Sequence, residues 1–427
     1  MIVLIAERSA RGKAGVLPCD TVGTYETTKP SGPSGIRILN WRVFYTLNLA
    51  IFTSMLGMGI VIPFMPIYAK TLGATGVSIG IFFASFPLAQ MAFMPTIGRL
   101  SDQRGRKAFI AAGLLLSSLT SLAYVYAPNI MYLTLGRFFQ GLAVALILPI
   151  AAAYVGDLAP PEKRGELMGI FNLFLTSSIG IGPLAGGWLS DTYGMAASFY
   201  LMGGLNLVAF VFVLFFLDEI RSSHDARQQP PSYRELLSRP GVRGIALYRM
   251  VTAIQMGLWF SFLPLLAVEV LHISQSRIGI IMAVYMLANS LVQVPFGRLA
   301  DRYSKRTLII VSGYLASFAF VTILFSHSFL DLLLISGFTG VMGALAGPAL
   351  TAIAAEEGQR GGMGAIMGVL NMALSAGMML GPVLAGLLSD VIGLRPLFGF
   401  GALAGGIGTL VFTWLMPDEK TTAVGNG

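Results

Sequence analysis

Gly98-Arg-Leu-Ser-Asp102 returns as Gly297-Arg-Leu-Ala-Asp301, 199 positions further along the chain. The same offset carries Asn172 onto Asn371, Gly182-Pro183 onto Gly381-Pro382, and Ser190-Asp191 onto Ser389-Asp390. One offset, held without a gap from residue 98 to residue 191, means two copies of a single structural unit. Both copies are apolar throughout. Duplicated apolar halves of this size are how secondary transporters are built, with substrate held where the repeats meet.

Composition agrees with a membrane setting. The 427-residue chain is 55% hydrophobic and 11% charged, against roughly 25% charged in a soluble domain. The missing charges would have covered a water-facing surface, so most of this surface is expected to face the lipid bilayer. The 51 glycines fit as well, because small residues let membrane helices approach where packing drives association. The net charge of +8 does not imply a nucleic-acid partner. Its basic residues sit in short loops between apolar runs, not on one soluble face. Cys19 is the single cysteine, so no intrachain disulfide forms, and three scattered histidines argue against a metal site. There is no G-x-x-x-x-G-K-S/T phosphate loop and no nucleophile–base constellation, so neither an enzyme nor a nucleotide-driven pump is expected, and no cofactor.

Twelve apolar runs reach the ~20 residues that a helix needs to cross a ~30 Å bilayer core. They lie at 44–69, 76–98, 108–126, 130–154, 167–189, 195–217, 245–269, 276–297, 307–326, 329–354, 364–388 and 394–416. With both termini inside, the inner loops hold Arg99, Arg104, Arg106, Lys107, Lys163, Arg164, Arg298, Arg302, Lys305, Arg306 and Arg360, and the outer loops only Lys70, Arg277 and Arg395. That asymmetry places both termini in the cytoplasm. The expected division is a disordered tail 1–40, a six-helix bundle 41–217, a cytoplasmic linker 218–243, a second six-helix bundle 244–416 and a tail 417–427. No cleavable signal peptide is evident, since Met1–Ala6 is too short for an h-region. In the linker, Tyr233–Ser238 reads either as a short amphipathic helix on the membrane surface or as a plain loop.

Gly98-Arg-Leu-Ser-Asp-Gln-Arg-Gly-Arg-Lys107, Leu133-Thr-Leu-Gly-Arg137-Phe-Phe-Gln140-Gly141, Ser178-Ile-Gly-Ile-Gly182-Pro183-Leu-Ala-Gly186-Gly187 and Leu56-Gly57-x5-Pro63-Phe-Met-Pro66 together resemble four motifs of the major facilitator superfamily. The likeness is to its twelve-helix drug:proton antiporters. It implies an all-α membrane protein whose twelve transmembrane helices form two pseudo-symmetric six-helix bundles. The first motif implies a cytoplasmic gate of Gly98, Asp102, Gly105, Arg106, Asp157 and Asp301. In it Asp102 faces the N-terminus of helix eleven and pairs with Arg106 and Asp157. Gly98 is expected to permit close helix contact and Gly105 a tight turn. The third motif makes Gly182, Pro183, Gly186 and Gly187 a hinge in helix five, while its copy at Gly381-Pro382 shows that such a helix can also be architectural. Ser178 stands where the antiporter signature has its first glycine.

Helices one, four, seven and ten line the cavity in that family. The expected lining residues are Asn48, Met58, Arg137, Gln140, Gln255, Trp259 and Met342. Arg137 reads as the only charge deep in any span. A mid-membrane arginine costs at least ~2.5–3.5 kcal/mol on insertion scales, so it is expected to serve substrate or proton. Its repeat copy is Ser336, so the fold does not impose the charge. No Asp or Glu lies deep in a span. The expectation is a proton-coupled exporter of drug-like molecules or metabolites, working as a monomer in a bacterial inner membrane. The missing carboxylate favours the alternative, an importer or facilitator of a small neutral or anionic metabolite. A non-transporting sensor or assembly partner is the third reading, disfavoured by the intact gate motif.

Overall fold

The protein is described by a computed structural model covering residues 41–160, 163–219 and 233–416. The expectations for the two tails, Cys19 and most of the linker lie outside these residues. Among the described residues twelve helices are long and apolar enough to cross a membrane: α1 (Trp41–Thr71), α2 (Gly76–Arg104), α3 (Lys107–Val125), α4 (Ile130–Leu158), α5 (Gly165–Tyr193), α6 (Met195–Phe216), α7 (Pro240–Val270), α8 (Gln275–Arg302), α9 (Lys305–Ile323), α10 (Phe329–Gly358), α11 (Met363–Ile392) and α12 (Leu394–Leu415). No strand occurs among the described residues.

The repeat is visible in how helices begin. The Thr75 hydroxyl accepts the Ser78 N–H to cap α2, and Ser274 precedes α8 at the 199-residue offset. The Asn129 side chain caps α4, and Ser328 caps α10 in a box closed by Asp331. Such side chains occupy first-turn N–H groups that have no helical partner. Near its end α1 tightens into a 3-10 turn at Ile62–Phe64, where Pro63 and Pro66 remove donors. Beyond Pro264, α7 ends in a π-helical turn, Leu266–Val270.

Within the first bundle α1 packs on α5 and α6, α3 on α4 and α6, and α2 on α4. The second bundle repeats this, with α7 on α11 and α12, α9 on α10 and α12, and α8 on α10. The bundles meet through α2 against α11 and α5 against α8. Tyr233–Ser238 is helical, and its Leu236 is buried in the second bundle's core. The short helix packs on α7 and α11, while its Leu237 stays exposed.

One end of the molecule carries the α2–α3 and α8–α9 connections with their arginines; it is called the basic end below, and the opposite end the far end. At the far end a single apolar core is shared by both bundles, running from Phe64, Phe82 and Phe199 to Leu258, Phe262 and Phe398. At the basic end the core splits in two. One part, around Phe44, Ile110 and Tyr154, belongs to the first bundle alone. The other, around Ile245, Ile309 and Phe412, belongs to the second alone. The molecule is therefore closed at the far end and parted at the basic end.

Candidate functional site

Four helix termini meet at the far end in two crossed pairs. Asp191, in the last turn of α5, accepts the backbone N–H groups of Gln275 (3.1 Å) and Ser276 (2.7 Å), which open α8. Asp390, in the last turn of α11, accepts those of Gly76 (2.8 Å) and Val77 (3.2 Å), which open α2. Residues 191 and 390, 76 and 275, and 77 and 276 all obey the 199-residue offset. A carboxylate at the C-terminus of its own helix opposes the dipole there. Each Asp instead serves the N-terminus of a helix from the other bundle, where free N–H groups and positive dipole favour it. The repeat displays Ser190-Asp191 and Ser389-Asp390, but sequence reasoning gave them no role. The signal was a pair of aspartates at unfavourable helix ends, equally spaced.

Backbones touch along this seam. A Cβ on Gly187 would stand 2.6 Å from the Gln275 carbonyl oxygen and 2.9 Å from the Ser276 Cα, and one on Gly386 would strike the Gly76 carbonyl. The four hinge residues divide between two neighbours. Gly182 and Gly186 pack on Gly59 and Ile60 of α1, while Pro183 and Gly187 pack on Gly279 and Gln275 of α8. Lys70 of α1 lies 3.8 Å from Glu269 of α7 at the same end.

The basic end is built differently. Gly105 terminates α2 at φ +101°, and its N–H reaches the Ser101 carbonyl at 3.0 Å. Arg106 is buried, with Nη2 3.0 Å from Asp102 and Nη1 2.7 Å from Asp157. Glu219, which follows α6, accepts the Lys107 N–H at 3.2 Å, a contact sequence reasoning missed. Two of the expected gate contacts are not made in this arrangement of the bundles. Asp102 is half exposed and hydrogen-bonds Arg106 rather than the start of α11. A Cβ on Gly98 would meet nothing within 4 Å, and the same holds at Gly297 and Gly364. Asp301 is exposed and forms no ion pair among the described residues. The reason is common to all: the bundles stand apart at this end.

Arg137 lies inside the first bundle, 4% exposed. Its Nη1 donates to Gln140 Oε1 at 2.7 Å, and the Tyr124 hydroxyl donates to the same oxygen at 2.7 Å. The guanidinium sits over three rings of α2, those of Phe82, Phe83 and Phe86, at 5.7, 5.6 and 4.6 Å from the centroids. Cation–π attraction and one shared acceptor thus hold a charge that water does not reach.

Four other expected lining residues are buried instead, Gln140 among them at 1% exposure between Arg137 and Tyr124. Asn48 is fully buried, with Nδ2 donating to the Phe44 carbonyl of its own helix at 2.8 Å. Gln255 turns toward α12, where Nε2 donates to the Gly401 carbonyl at 3.1 Å. Trp259 is 1% exposed, stacked on Tyr285 and tilted against Phe320. All four are held by contacts inside their bundles. Met58 is partly exposed and packs beside the first bundle's basic-end core. Arg137 is also not the only deep charge. Because α7 begins at Pro240 rather than near 245, Arg249 lies well inside it. Among the described residues no cluster of His, Cys, Asp and Glu could hold a metal ion.

Comparison with known proteins supplies the lineage. The Major Facilitator Superfamily model matches residues 47–274 and 245–427. An uncharacterized MFS-type transporter of Methanocaldococcus jannaschii is 31% identical over 366 residues, covering 84% of this chain and 94% of the relative. The quinolone resistance protein NorA of Staphylococcus aureus is 25% identical over 358 residues, covering 83% and 91%. Multidrug resistance protein 2 of Bacillus subtilis is 28% identical over 372 residues, covering 82% and 89%. Among solved structures, a bacterial homologue of the human lysosomal transporter Spinster, inward-facing and occupied, superposes with a TM-score of 0.73 at 15% identity, over 88% of this chain and 97% of that one. A point mutant of the nucleoside transporter NupG gives 0.73 at 14% identity, over 88% and 100%. With the duplicated bundles, the gate loop and a family match along nearly the whole membrane region, the chain belongs to the Major Facilitator Superfamily.

Proposed function

We propose that this protein exports drug-like molecules or metabolites in exchange for protons, by alternating access, from a bacterial cytoplasmic membrane. Membership of its family makes it a membrane transporter of small solutes and not an enzyme. The observation that carries the mechanism is the asymmetry of the cores: one shared at the far end, two separate ones at the basic end. With the basic end in the cytoplasm, as the lysine and arginine distribution favours, this is an inward-facing state. Asp191 and Asp390 then form an outer lock. Asp102, Arg106 and Asp157 form an inner gate that engages α11 only when the bundles rock to the other side. Both termini are cytoplasmic in this reading, and the monomer is the working unit. The antiporter-like sequence of α5 and the drug-resistance relatives, at 25% and 28% identity, support export.

A second reading, uptake or facilitated passage of a neutral or anionic metabolite, is favoured by one feature. Every Asp and Glu in the described spans lies near a helix end, while Arg137 and Arg249 lie deep. Flux in proteoliposomes with an imposed pH gradient separates the two. Export predicts that collapsing the gradient abolishes uphill movement. Flux that is unaffected by the gradient and follows the solute gradient supports the second reading and overturns proton exchange.

A further inference from the structure

Helix α7 has three occupied faces and one open face. Met250, Ala253, Ile254 and Gly257 meet α11, at Gly377, Gly381 and Pro382. Val251, Gln255 and Leu258 meet α12, at Gly408, Gly405 and Gly401. Trp259 meets α8 and α9 through Tyr285 and Phe320. The remaining direction, toward the other bundle, carries Arg249, Thr252 and Met256 at helical spacing, all three partly exposed. At the far end this side of α7 abuts the close of α1; toward the basic end the cores of the two bundles separate, and Arg249 stays partly exposed.

The Arg249 guanidinium has no ion pair, hydrogen bond or ring contact among the described residues, whereas that of Arg137 donates to Gln140 and lies over three rings. At that end of α7 the Glu357 carboxylate lies beside Gly241, eight residues before Arg249. The fold does not require the charge, because the repeat places the buried Ala50 at the equivalent position. An arginine kept inside a membrane span without a protein partner awaits one that arrives from solution. Its planar fork suits a carboxylate or another oxyanion, and Met256 beside it offers an adaptable apolar contact.

We propose that Arg249 is the anion-binding subsite of the cleft, and that the transported molecules are amphipathic organic anions whose acidic group pairs with this guanidinium. The inference rests on the transport reading above and specifies its substrate class. The test uses the purified full chain and a matched pair of probes, 1-naphthoate and its neutral amide, with tetraphenylphosphonium as the cationic comparator. Naphthoate is expected to bind more tightly than the amide. Arg249→Ala should weaken naphthoate by at least about tenfold, leave the amide unchanged, and Arg249→Lys should restore part of the difference. In a Cys19→Ser background, Arg249→Cys should react with a membrane-impermeant thiol reagent. Equal binding of naphthoate by wild type and Arg249→Ala overturns the proposal. So does preference for the amide or the cation, or an unreactive thiol in the Arg249→Cys protein. If tetraphenylphosphonium is transported in proteoliposomes and naphthoate is not, the transporter stands and the anion site falls. If none of the three probes binds or moves, the failure extends to the transport reading itself.

Discussion

Two arginines inside spans illustrate two ways of stabilising the same charge. Arg137 is enclosed by three phenylalanine rings and one glutamine oxygen. Its removal leaves Gln140 and Tyr124 facing a vacated site, yet the helices that carry them stay packed. Arg137→Ala is expected to insert normally, measured as folded protein recovered from membranes, while transport falls below about a tenth of wild type; undiminished transport would reduce Arg137 to scaffolding. The depth of Arg137 was legible because its motif sits centrally in an apolar run. Arg249 was not, because hydropathy alone started its span five residues too late, at 245 instead of Pro240. Gln255 and Trp259 were misread for another reason. Their polar atoms suggested a cavity, and only neighbours distant in sequence, Gly401 and Tyr285, show which way they turn. At the outer lock, a carboxylate on a foreign helix N-terminus contributes about 1–2 kcal/mol. Asp390→Asn is therefore expected to shift the equilibrium toward the outward-open state by roughly 5–30-fold, read as faster labelling of a single cysteine facing the outer cavity. An unchanged rate would show that the Gly76 and Val77 contacts are incidental.

The twelve helices were readable from hydropathy; the caps at Thr75, Asn129 and Ser328 emerged only in the structure. What could not be read was which helices of opposite bundles touch, since small residues mark a seam without naming its partner. Gly187 shows how tight the seam is, with room for no side chain against Gln275 and Ser276. Gly187→Leu is expected to wedge α5 from α8, opening the far end and lowering the melting temperature by several degrees. Gly98 supplies the contrast, because it faces open space in this state. Gly98→Leu should leave thermal stability nearly unchanged while slowing turnover, since the obstruction arises only when the basic end closes. Equal loss of stability in both variants would contradict the assignment of contacts to opposite states.

The duplicated architecture followed from one repeated offset, but the state of the molecule did not. Both states of a rocking pair bury the same apolar residues in different combinations, and a sequence holds the residues without the combination. Asp102→Asn removes an inner-gate carboxylate that this state does not engage with α11, so its predicted effect is on the other state: stronger labelling of a cysteine in the cytoplasmic cavity. The most direct test is a pair of spin-label distances in the Cys19→Ser protein, one between residues 163 and 363 at the basic end and one between 126 and 325 at the far end. Replacing both Asp191 and Asp390 by Asn is predicted to shorten the first distance and lengthen the second together. Distances that stay as they are, or that change in the same direction at both ends, would contradict two bundles rocking on a lock made by those aspartates.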